Sequence, residues 1–408
     1  MVPTNVNIAS PGHKANPYPF YARLRAESPV HRVTLPDKQA AWLVTRYADV
    51  AAALKDERLV KDKLNALTPG QVAKQPWMPA LLKPLERTML DVDAPDHSRL
   101  RALVHMAFTP RLVEAMTARV QALTDDLLDR LLDQRRAQRQ VDLIREYALP
   151  IPTTIIAEML GVPVADQHKF HRWSSAIVSS NATGFGMLLA IPRVVAFVRY
   201  LRKLIASRRA VPQADLVSAL VSSEEAGDQL SGDELLAMVF LLLIAGHETT
   251  VNLIGNGTLA LLENPDQMET LRQDPTLIRT AVEELLRYAS PLETATERYA
   301  REDVTIEGVT IPQGSLVFAA LASANRDDRR FPNPDKLDLT REPNRHLAFG
   351  LGVHYCLGAP LARLEGQIAI NALLQRAPDL QLAVAPNRLR WRKGLVLRGL
   401  AALPVRIG

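Results

Sequence analysis

The chain has 408 residues, 47% of them apolar, with 49 basic and 44 acidic residues, a net charge of +5 and one cysteine. That length suits one large domain or two ordinary ones; no Lys/Arg block resembles a nucleic-acid arm, and 5% aromatics is too few for base-stacking platforms. A lone cysteine excludes an internal disulfide and suits a reducing cytosol, no basic-then-apolar leader opens the chain, and the most apolar run, Leu235 to Ala245, is far short of the roughly 18 residues of a spanning helix, so a cytoplasmic chain without a membrane anchor is expected and Asn181 and Asn256, though in N-x-T sites, carry no meaning.

Asn16-Pro17-Tyr18-Pro19 opens a helix that turns Phe20, Tyr21 and Leu24 inward. Val30 to Val33 and Ala41 to Thr45 read as a short strand pair, and Tyr47 to Leu54 as a small helix. Prolines at 69, 76, 79 and 84 make Val60 to Leu90 a long irregular loop, and such loops are usually functional or mobile. Asp93 is a cap candidate for a helix to about Phe108, with Pro95 in its first turn. His97 and Arg101 lie four apart on one face of it, either an exposed basic face or an anion clamp. Thr109-Pro110 begins a long amphipathic helix with Leu112, Met116, Val120, Leu123, Leu127 and Leu131 inward. Further helices are expected near Ile144 to Leu160, Val164 to Ser180, Met187 to Ser207 and Ala214 to Val221, with Ser179 to Gly186 as a flexible joint.

Ser231-Gly232-Asp233-Glu234 is a capping box. The helix it starts runs to Asn264-Pro265, about 32 residues or roughly 48 Å, and its apolar run marks it as buried. In its middle stands Ala245-Gly246-His247-Glu248-Thr249-Thr250. A glycine there costs about 1 kcal/mol against Ala, and a buried Glu costs more unless paired; two such violations at one place mark a site. His247-Glu248 begins a zinc-protease H-E-x-x-H, but Val251 stands where its second ligand belongs. Gly255-x-Gly257-x-x-Ala260 fits a dinucleotide fingerprint only as a string, since it lies inside a helix. Asp274-Pro275 caps the next helix, which carries Glu284 and Arg287; taken alone, such an i,i+3 pair is ordinary surface chemistry. Strands are expected at Leu292 to Tyr299, Val304 to Ile306, Val309 to Ile311 and Leu316 to Phe318, a polar meander over Asn325 to Arg345, and short strands from Leu380. Helix dominates, so the fold class is mainly α with a minor β region, its β-rich parts at about 28–46, 292–318 and 380–408.

Phe349-Gly350-Leu351-Gly352-Val353-His354-Tyr355-Cys356-Leu357-Gly358 frames the cysteine with glycines, which permit positive φ or close approach. A helix follows, with Leu361, Leu364, Ile368 and Leu373 on an apolar stripe. Two readings of Cys356 stand at this point: a small buried hydrophobe, or a thiolate favoured by a helix N-terminus.

Three features taken together, the Gly-framed cysteine loop from Phe349 to Gly358, Ala245 to Thr249, and Glu284-x-x-Arg287, closely resemble the cytochrome P450 family of haem-thiolate monooxygenases. Order and spacing agree along essentially the whole chain, from the Asn-Pro-Tyr-Pro segment to Leu403-Pro404-Val405. The resemblance implies one domain over residues 1–408, with a long central helix crossing the haem. It implies haem b with Cys356 as iron ligand; His97, Arg101, Arg298 and His354 on its propionates; and Ala245, Phe349 and Gly350 against the cofactor. Glu248 and Thr249 would serve oxygen activation, Thr249 by hydrogen bonding and Glu248 by relaying protons, while Gly246 would leave room for dioxygen. Arg341 would join Glu284 and Arg287 in a buried structural network; Leu337 replaces the Phe usual in that segment. Substrate contacts would be Met89, Leu90, Leu241, Ile244, Ala245, Leu292, Thr294 and Val396, with the joint at 179–187, which suits a hydrophobic small molecule. No flavin or iron–sulfur domain follows Gly408, so electrons are expected from a separate ferredoxin or flavodoxin and its reductase, with Arg99, Arg345 and Arg363 either a basic docking face or ordinary solvated arginines. A monomeric bacterial enzyme is expected. Two other classes are open: a peroxide-driven haem-thiolate enzyme, and a haem sensor or carrier without catalysis.

Overall fold

The computed structural model describes residues 6–68, 70, 81–134, 140–167, 169, 173, 184–225 and 228–407. Helices dominate and strands are short. The chain forms two compact units, one of Met1–Leu59, Ala118–Ile151 and Thr249–Gly408, the other of Val60–Thr117 and Pro152–Glu248.

In the first unit, the strands Val30–Thr34 and Ala40–Val44 pair antiparallel in the register Val30 to Val44. Leu316–Ala319 joins Ala40–Val44 in parallel and pairs antiparallel with Arg298–Ala300. Val33, Ala41, Leu43, Leu316 and Phe318 share one apolar cluster with Tyr21 and Leu24 from the helix Tyr18–Glu27; period-2 alternation builds that face. The segment from Leu292 is only partly strand, because Leu292 makes an isolated bridge to Leu397 before the ladder resumes at Arg298. A second sheet orders Gln381–Leu382, Pro404–Arg406 and Gln140–Asp142. Its third strand was not expected from the sequence: three residues carry too little pattern to declare themselves.

The helix Ile278–Tyr288 buries Ala281, Val282, Leu285 and Leu286, and with them Glu284 and Arg287. A short turn, Pro275–Leu277, separates it from Asp274, whose carboxylate caps that turn rather than the helix. The cysteine helix Ala359–Arg376 corrects the expected stripe. Leu361 and Leu373 are buried, but Leu364 and Ile368 are only half-buried, and Glu365, Gly366, Ala369 and Ile370 take the inner face. Gly366 fits this: a Cβ there would lie 2.8 Å from Leu253, so the cysteine helix sits close against the central helix at that point.

In the second unit, Asp93 is not the cap of its helix. The helix Asp96–Ala107 starts after Pro95, and the Asp93 carboxylate instead accepts from the backbone N–H of Lys61 (2.7 Å) and Asp62 (3.1 Å) and from Asn65 Nδ2 (3.0 Å). Thr109 does cap Pro110–Ala115, but the helix breaks at Met116 before Thr117–Gln134. The expected helix Ile144 to Leu160 begins as a wider π-helical turn, Ile144–Ala148, before Pro150–Met159. The expected joint at Ser179 to Gly186 lies outside the described residues over 179–183, and from Gly184 it is instead the start of the helix Gly184–Ala210, so the helix expected from Met187 begins earlier. Most of the helix expected over Val164 to Ser180, and Pro69, Pro76 and Pro79, also lie outside the described residues.

The Ser231 capping box forms: Ser231 N–H donates to Glu234 Oε2 at 2.8 Å and Glu234 N–H to Ser231 Oγ at 3.2 Å. It starts the central helix Gly232–Leu262, whose residues to Glu248 belong to the second unit and from Thr249 onward to the first. Its apolar stretch is longer than Leu235 to Ala245 and would suffice in length to cross a membrane. Most of that stretch is buried within the protein, as befits a core helix.

Glu365 is the costly residue of this packing. It is 1% exposed, and neither carboxyl oxygen closes a hydrogen bond among the described residues. Burial pushes it up to about 8, only weakly countered by the neighbouring Thr250 hydroxyl. The folded protein therefore holds a proton that the unfolded chain releases near the ordinary value of 4.5. Stability is fully present below that value and falls as pH rises towards 8, by at most about 1.4 kcal/mol per pH unit. Glu365→Gln should flatten the dependence of the melting temperature on pH between 5 and 8 and raise stability at pH 8; an unchanged slope would exclude Glu365 as its source.

Candidate active site

Two residues of positive φ shape the cysteine loop, Gly350 (+70°) and Gly352 (+78°), a conformation that costs glycine little and other residues more. A Cβ at Gly352 would also sit 3.1 Å from the Leu54 carbonyl oxygen. The loop closes on itself: Cys356 N–H donates to Phe349 O at 3.0 Å, Tyr355 N–H to Gly352 O at 3.0 Å, and Gly350 N–H to Leu347 O at 2.9 Å. His354 ends the single turn Gly352–His354. The Cys356 sulfur lies 4.0 Å from where a Gly358 Cβ would stand, and Gly358 is the N-cap of the cysteine helix. The thiol is half-buried, in the setting that favours a thiolate.

Phe349 is sandwiched. It packs on the apolar cluster of the first unit, and the Arg363 guanidinium lies 4.5 Å from its ring centroid. Arg363 also holds Glu283 with both arms, at 2.7 and 2.9 Å, and His346 Nε2 lies 3.0 Å from Glu283 Oε2. Burial raises the Glu283 carboxyl, but hydrogen bonds from His346 and Arg363 outweigh it and bring it to about 2. The candidate docking charges are thus largely spent. Arg363 is ion-paired with Glu283, and Arg99 with Asp228 (3.1 Å) and Glu234. Arg345 is exposed.

Glu284, Arg287 and Arg341 come together. The Arg287 Nε and Nη2 donate to the two Glu284 oxygens at 2.7 and 2.8 Å, and Arg341 Nε to Oε1 at 3.2 Å. The Asp338 N–H and Asn344 Nδ2 add bonds of 3.0 Å each. Arg287 Nη1 reaches the carbonyls of Asn325 (2.9 Å) and Pro334 (2.8 Å). Both members of the Glu284–Arg287 pair are fully buried. A surface i,i+3 pair is worth little; this one is neither exposed nor isolated. Leu337, where the family usually has Phe, is 1% exposed and packs in the same cluster as Leu285 and Leu339.

Arg298 is also in the first unit. Its guanidinium donates to Leu59 O at 3.0 Å and Leu54 O at 3.1 Å, so Arg298 and Gly352 converge on the Leu54 carbonyl. Leu292, Thr294 and Val396 are grouped, since Glu293 N–H donates to Val396 O at 2.8 Å. Leu292 and Val396 are half-buried and Thr294 is buried.

The second unit carries the other expected residues apart from Thr249, which begins the first unit's part of the central helix. His97 is 2% exposed. Burial, and then the Arg101 charge, hold its imidazole below the ordinary value against a smaller pull from Asp93. Of the two readings of this helix face, an exposed basic face is therefore wrong for His97. Met89 and Leu90 sit in a turn fastened by Thr88 Oγ1, which donates to Asp91 Oδ2 at 2.5 Å. On the central helix, Leu241 and Ile244 are half-buried and Ala245 is exposed, while His247 and Glu248 are buried and Thr249 is half-buried. Leu241, Ala245 and Thr249, at i, i+4 and i+8, share one partly exposed face, whereas Leu243, His247, Glu248 and Thr250 are buried. His247 Nδ1 lies 2.8 Å from Leu243 O, and its Nε2 lies 3.8 Å from Glu248 Oε1. At Gly246 a Cβ would meet Ile156 at 3.4 Å, an ordinary packing contact.

Sequence reasoning missed two clusters, Glu283–His346–Arg363 around Phe349 and a buried carboxylate at Glu293. Their partners are 63 and 80 residues away for Glu283 and 279 for Glu293; no local pattern links such distant residues.

The family model described as Cytochrome P450 matches residues 3–378. The chain is 48% identical over 390 residues to cytochrome P450 107B1 of Saccharopolyspora erythraea, covering 95% of this chain and 94% of that one. Among solved structures it is similar to the bacillaene polyketide synthase cytochrome P450 PksS of Bacillus subtilis, with TM-score 0.91, 43% identity, and coverage of 99% of this chain and 100% of that one. A myxobacterial cytochrome P450 in complex with myristic acid is also similar, with TM-score 0.91, 41% identity and 98% of each chain covered.

Because the Glu284 carboxylate is sealed from water, removing Arg287 should leave a buried charge held only by Arg341, Asp338 N–H and Asn344. Arg287→Met is expected to destabilise the protein by about 3–5 kcal/mol, read by denaturant unfolding. A loss below about 1 kcal/mol, the range of a surface pair, would show that the network carries little of the fold.

Proposed function

Since the chain belongs to the cytochrome P450 family, it is a haem b monooxygenase with a cysteine-thiolate ligand acting on a hydrophobic small molecule with O2, and we propose that Cys356 is that ligand, that His97, Arg101, Arg298 and His354 bind the propionates, and that Glu248 and Thr249 manage protons. One observation carries the reading: the only cysteine stands at a helix start, in a loop whose glycines take positive φ and whose Cys356 amide is turned back onto Phe349. The donor set fits the cofactor. A soft sulfur suits iron, the space a Cβ at Gly358 would fill adjoins that sulfur, and buried cationic or hydrogen-bonding groups suit two carboxylates.

When bound, haem supplies dioxygen activation, with thiolate donation favouring O–O cleavage. The chain's own residues do the rest. N–H groups at the start of Ala359–Arg376 temper the charge on sulfur. Thr249, on the partly exposed face of the central helix, offers a hydroxyl that can accept one proton and pass on another. Glu248, one residue back, is the acid that resupplies it. Leu241, Ile244, Ala245, Met89, Leu90, Leu292 and Val396 exclude water and hold an apolar substrate, with Thr294 the one hydroxyl among them. The similar myxobacterial enzyme was solved with myristic acid, which supports a long apolar substrate for this chain. Two electrons come from a separate ferredoxin or flavodoxin and its reductase, to a monomer. With Arg99 and Arg363 neutralised by ion pairs, the docking of an acidic carrier falls more to Arg345 and its surroundings.

Cys356→Ala should abolish the reduced-CO absorption band of a thiolate haem, and a retained band would remove Cys356 as ligand. Glu248→Gln should keep that band but slow NADH-driven product formation with ferredoxin and reductase by about 10²-fold, the size of a lost general acid–base group. A wild-type rate in that variant would take Glu248 out of the mechanism, while wild-type turnover with peroxide alone and none with NADH, ferredoxin and reductase would point to a peroxide-driven enzyme instead.

A further inference from the structure

Glu293 lies between Leu292 and Thr294, yet its side chain serves neither them nor solvent. Its carboxylate is fully buried and ringed by the N-terminal segment: Lys14 Nζ at 2.7 Å, His13 Nε2 at 3.0 Å and the Tyr21 hydroxyl at 2.6 Å. Lys14 is itself fully buried, and its ammonium also donates to Leu395 O at 3.2 Å. The same short helix, Pro11–Ala15, is tied to the chain around Val396. Arg398 Nε donates to Lys14 O at 3.0 Å, and Gly394 N–H to Ala9 O at 3.1 Å. Arg398 N–H in turn donates to Pro291 O at 2.8 Å.

A buried lysine–glutamate pair is weak as a source of stability, because well-packed apolar residues often do as well. Its distinctive property is geometric, since it holds only when donor and acceptor meet at hydrogen-bond distance. Here the geometry bears on particular residues. Glu293 N–H is bonded to Val396 O, Leu292 bridges Leu397 and Arg398 N–H reaches Pro291 O, so the backbones of the two segments are tied together. The Glu293 side chain, held by Lys14, His13 and Tyr21, anchors the middle of that tie, and its chain neighbours Leu292 and Thr294 are fixed with it. The Thr294 hydroxyl is buried without a hydrogen-bond partner among the described residues, so its own side chain does not fix its place.

We propose that the Glu293–Lys14–His13–Tyr21 cluster is a specificity-setting brace, through which the N-terminal helix positions Leu292, Thr294 and Val396 against the substrate. These are positioning residues, and the proposal rests on the functional reading above, which places those three residues in the substrate pocket.

The test uses the haem-loaded enzyme and two azoles that ligate haem iron: imidazole, too small to reach the pocket wall, and the bulky clotrimazole. The variant Lys14→Met/Glu293→Leu replaces the ion pair with an apolar pair of similar volume. Spectral titration should show a loss of about tenfold in clotrimazole affinity, about one good contact's worth, with imidazole affinity within about twofold of the wild type and the reduced-CO band retained. Unchanged affinity for both azoles would overturn the proposal, and so would an equal loss for both, which reports a general loosening. If the double variant does not fold, Tyr21→Phe removes a single hydrogen bond to Glu293 and should shift clotrimazole affinity alone in the same direction; no shift would overturn the brace. A wild type that shows no thiolate-haem band and binds neither azole would instead sink the functional reading.

Discussion

The Glu284 carboxylate is the fixed point from which the cysteine loop hangs. It is sealed from water, so every lone pair must be met from within the protein or the cost of several kcal/mol is unrecovered. The groups that meet it come from Arg287, Arg341, Asp338 and Asn344. These in turn fasten a stretch with almost no regular secondary structure, through the carbonyls of Asn325, Pro332, Pro334 and Lys336. The stretch ends where Leu347 N–H donates to Asn325 Oδ1 at 2.7 Å. Gly350 is bonded back to Leu347, and the cysteine turn begins. A loop without its own ladder can be held rigid only by side chains reaching into it, and this buried charge cluster supplies them.

Three buried glutamates show how differently one residue type is used. Glu284 is fully paired and orders a meander. Glu293 is fully paired and ties the N-terminus to the segment of Leu292 and Thr294. Glu365, weakly offset by the Thr250 hydroxyl among the described residues, keeps its proton to about 8. The protein thus tolerates an acid in its core either by supplying donors or by leaving the group neutral.

Much of the architecture was legible because its signals are local. The Ser231–Glu234 box, Thr109 at a helix start and the turn glycines of the cysteine loop act within four residues of themselves, so sequence spacing reports them directly. Asp93 misled for the same reason. Asp followed by proline reads as a cap, but donors from Lys61, Asp62 and Asn65, some thirty residues upstream, won the carboxylate. The cysteine helix misled through composition: Leu364 and Ile368 look like core, yet the helix sits close against the central helix at Gly366, with Glu365 buried.

The sequence by itself determined the chemistry. A unique cysteine between glycines before a helix, an acid–threonine pair in an apolar helix, and a Glu-x-x-Arg step are local statements about residue type and spacing, and they sufficed for the family. Only the tertiary structure decided which charges are spent and which face of each helix is buried. Arg99 and Arg363 are basic in any composition count but neutralised by Asp228, Glu234 and Glu283 in the fold. His13, Lys14 and Tyr21 form an unremarkable N-terminal stretch until a carboxylate some 280 residues away is placed among them. Pairing at such separations leaves no periodic trace along the chain. It is set by the closing of the fold, where burial makes an unmatched charge too costly to keep.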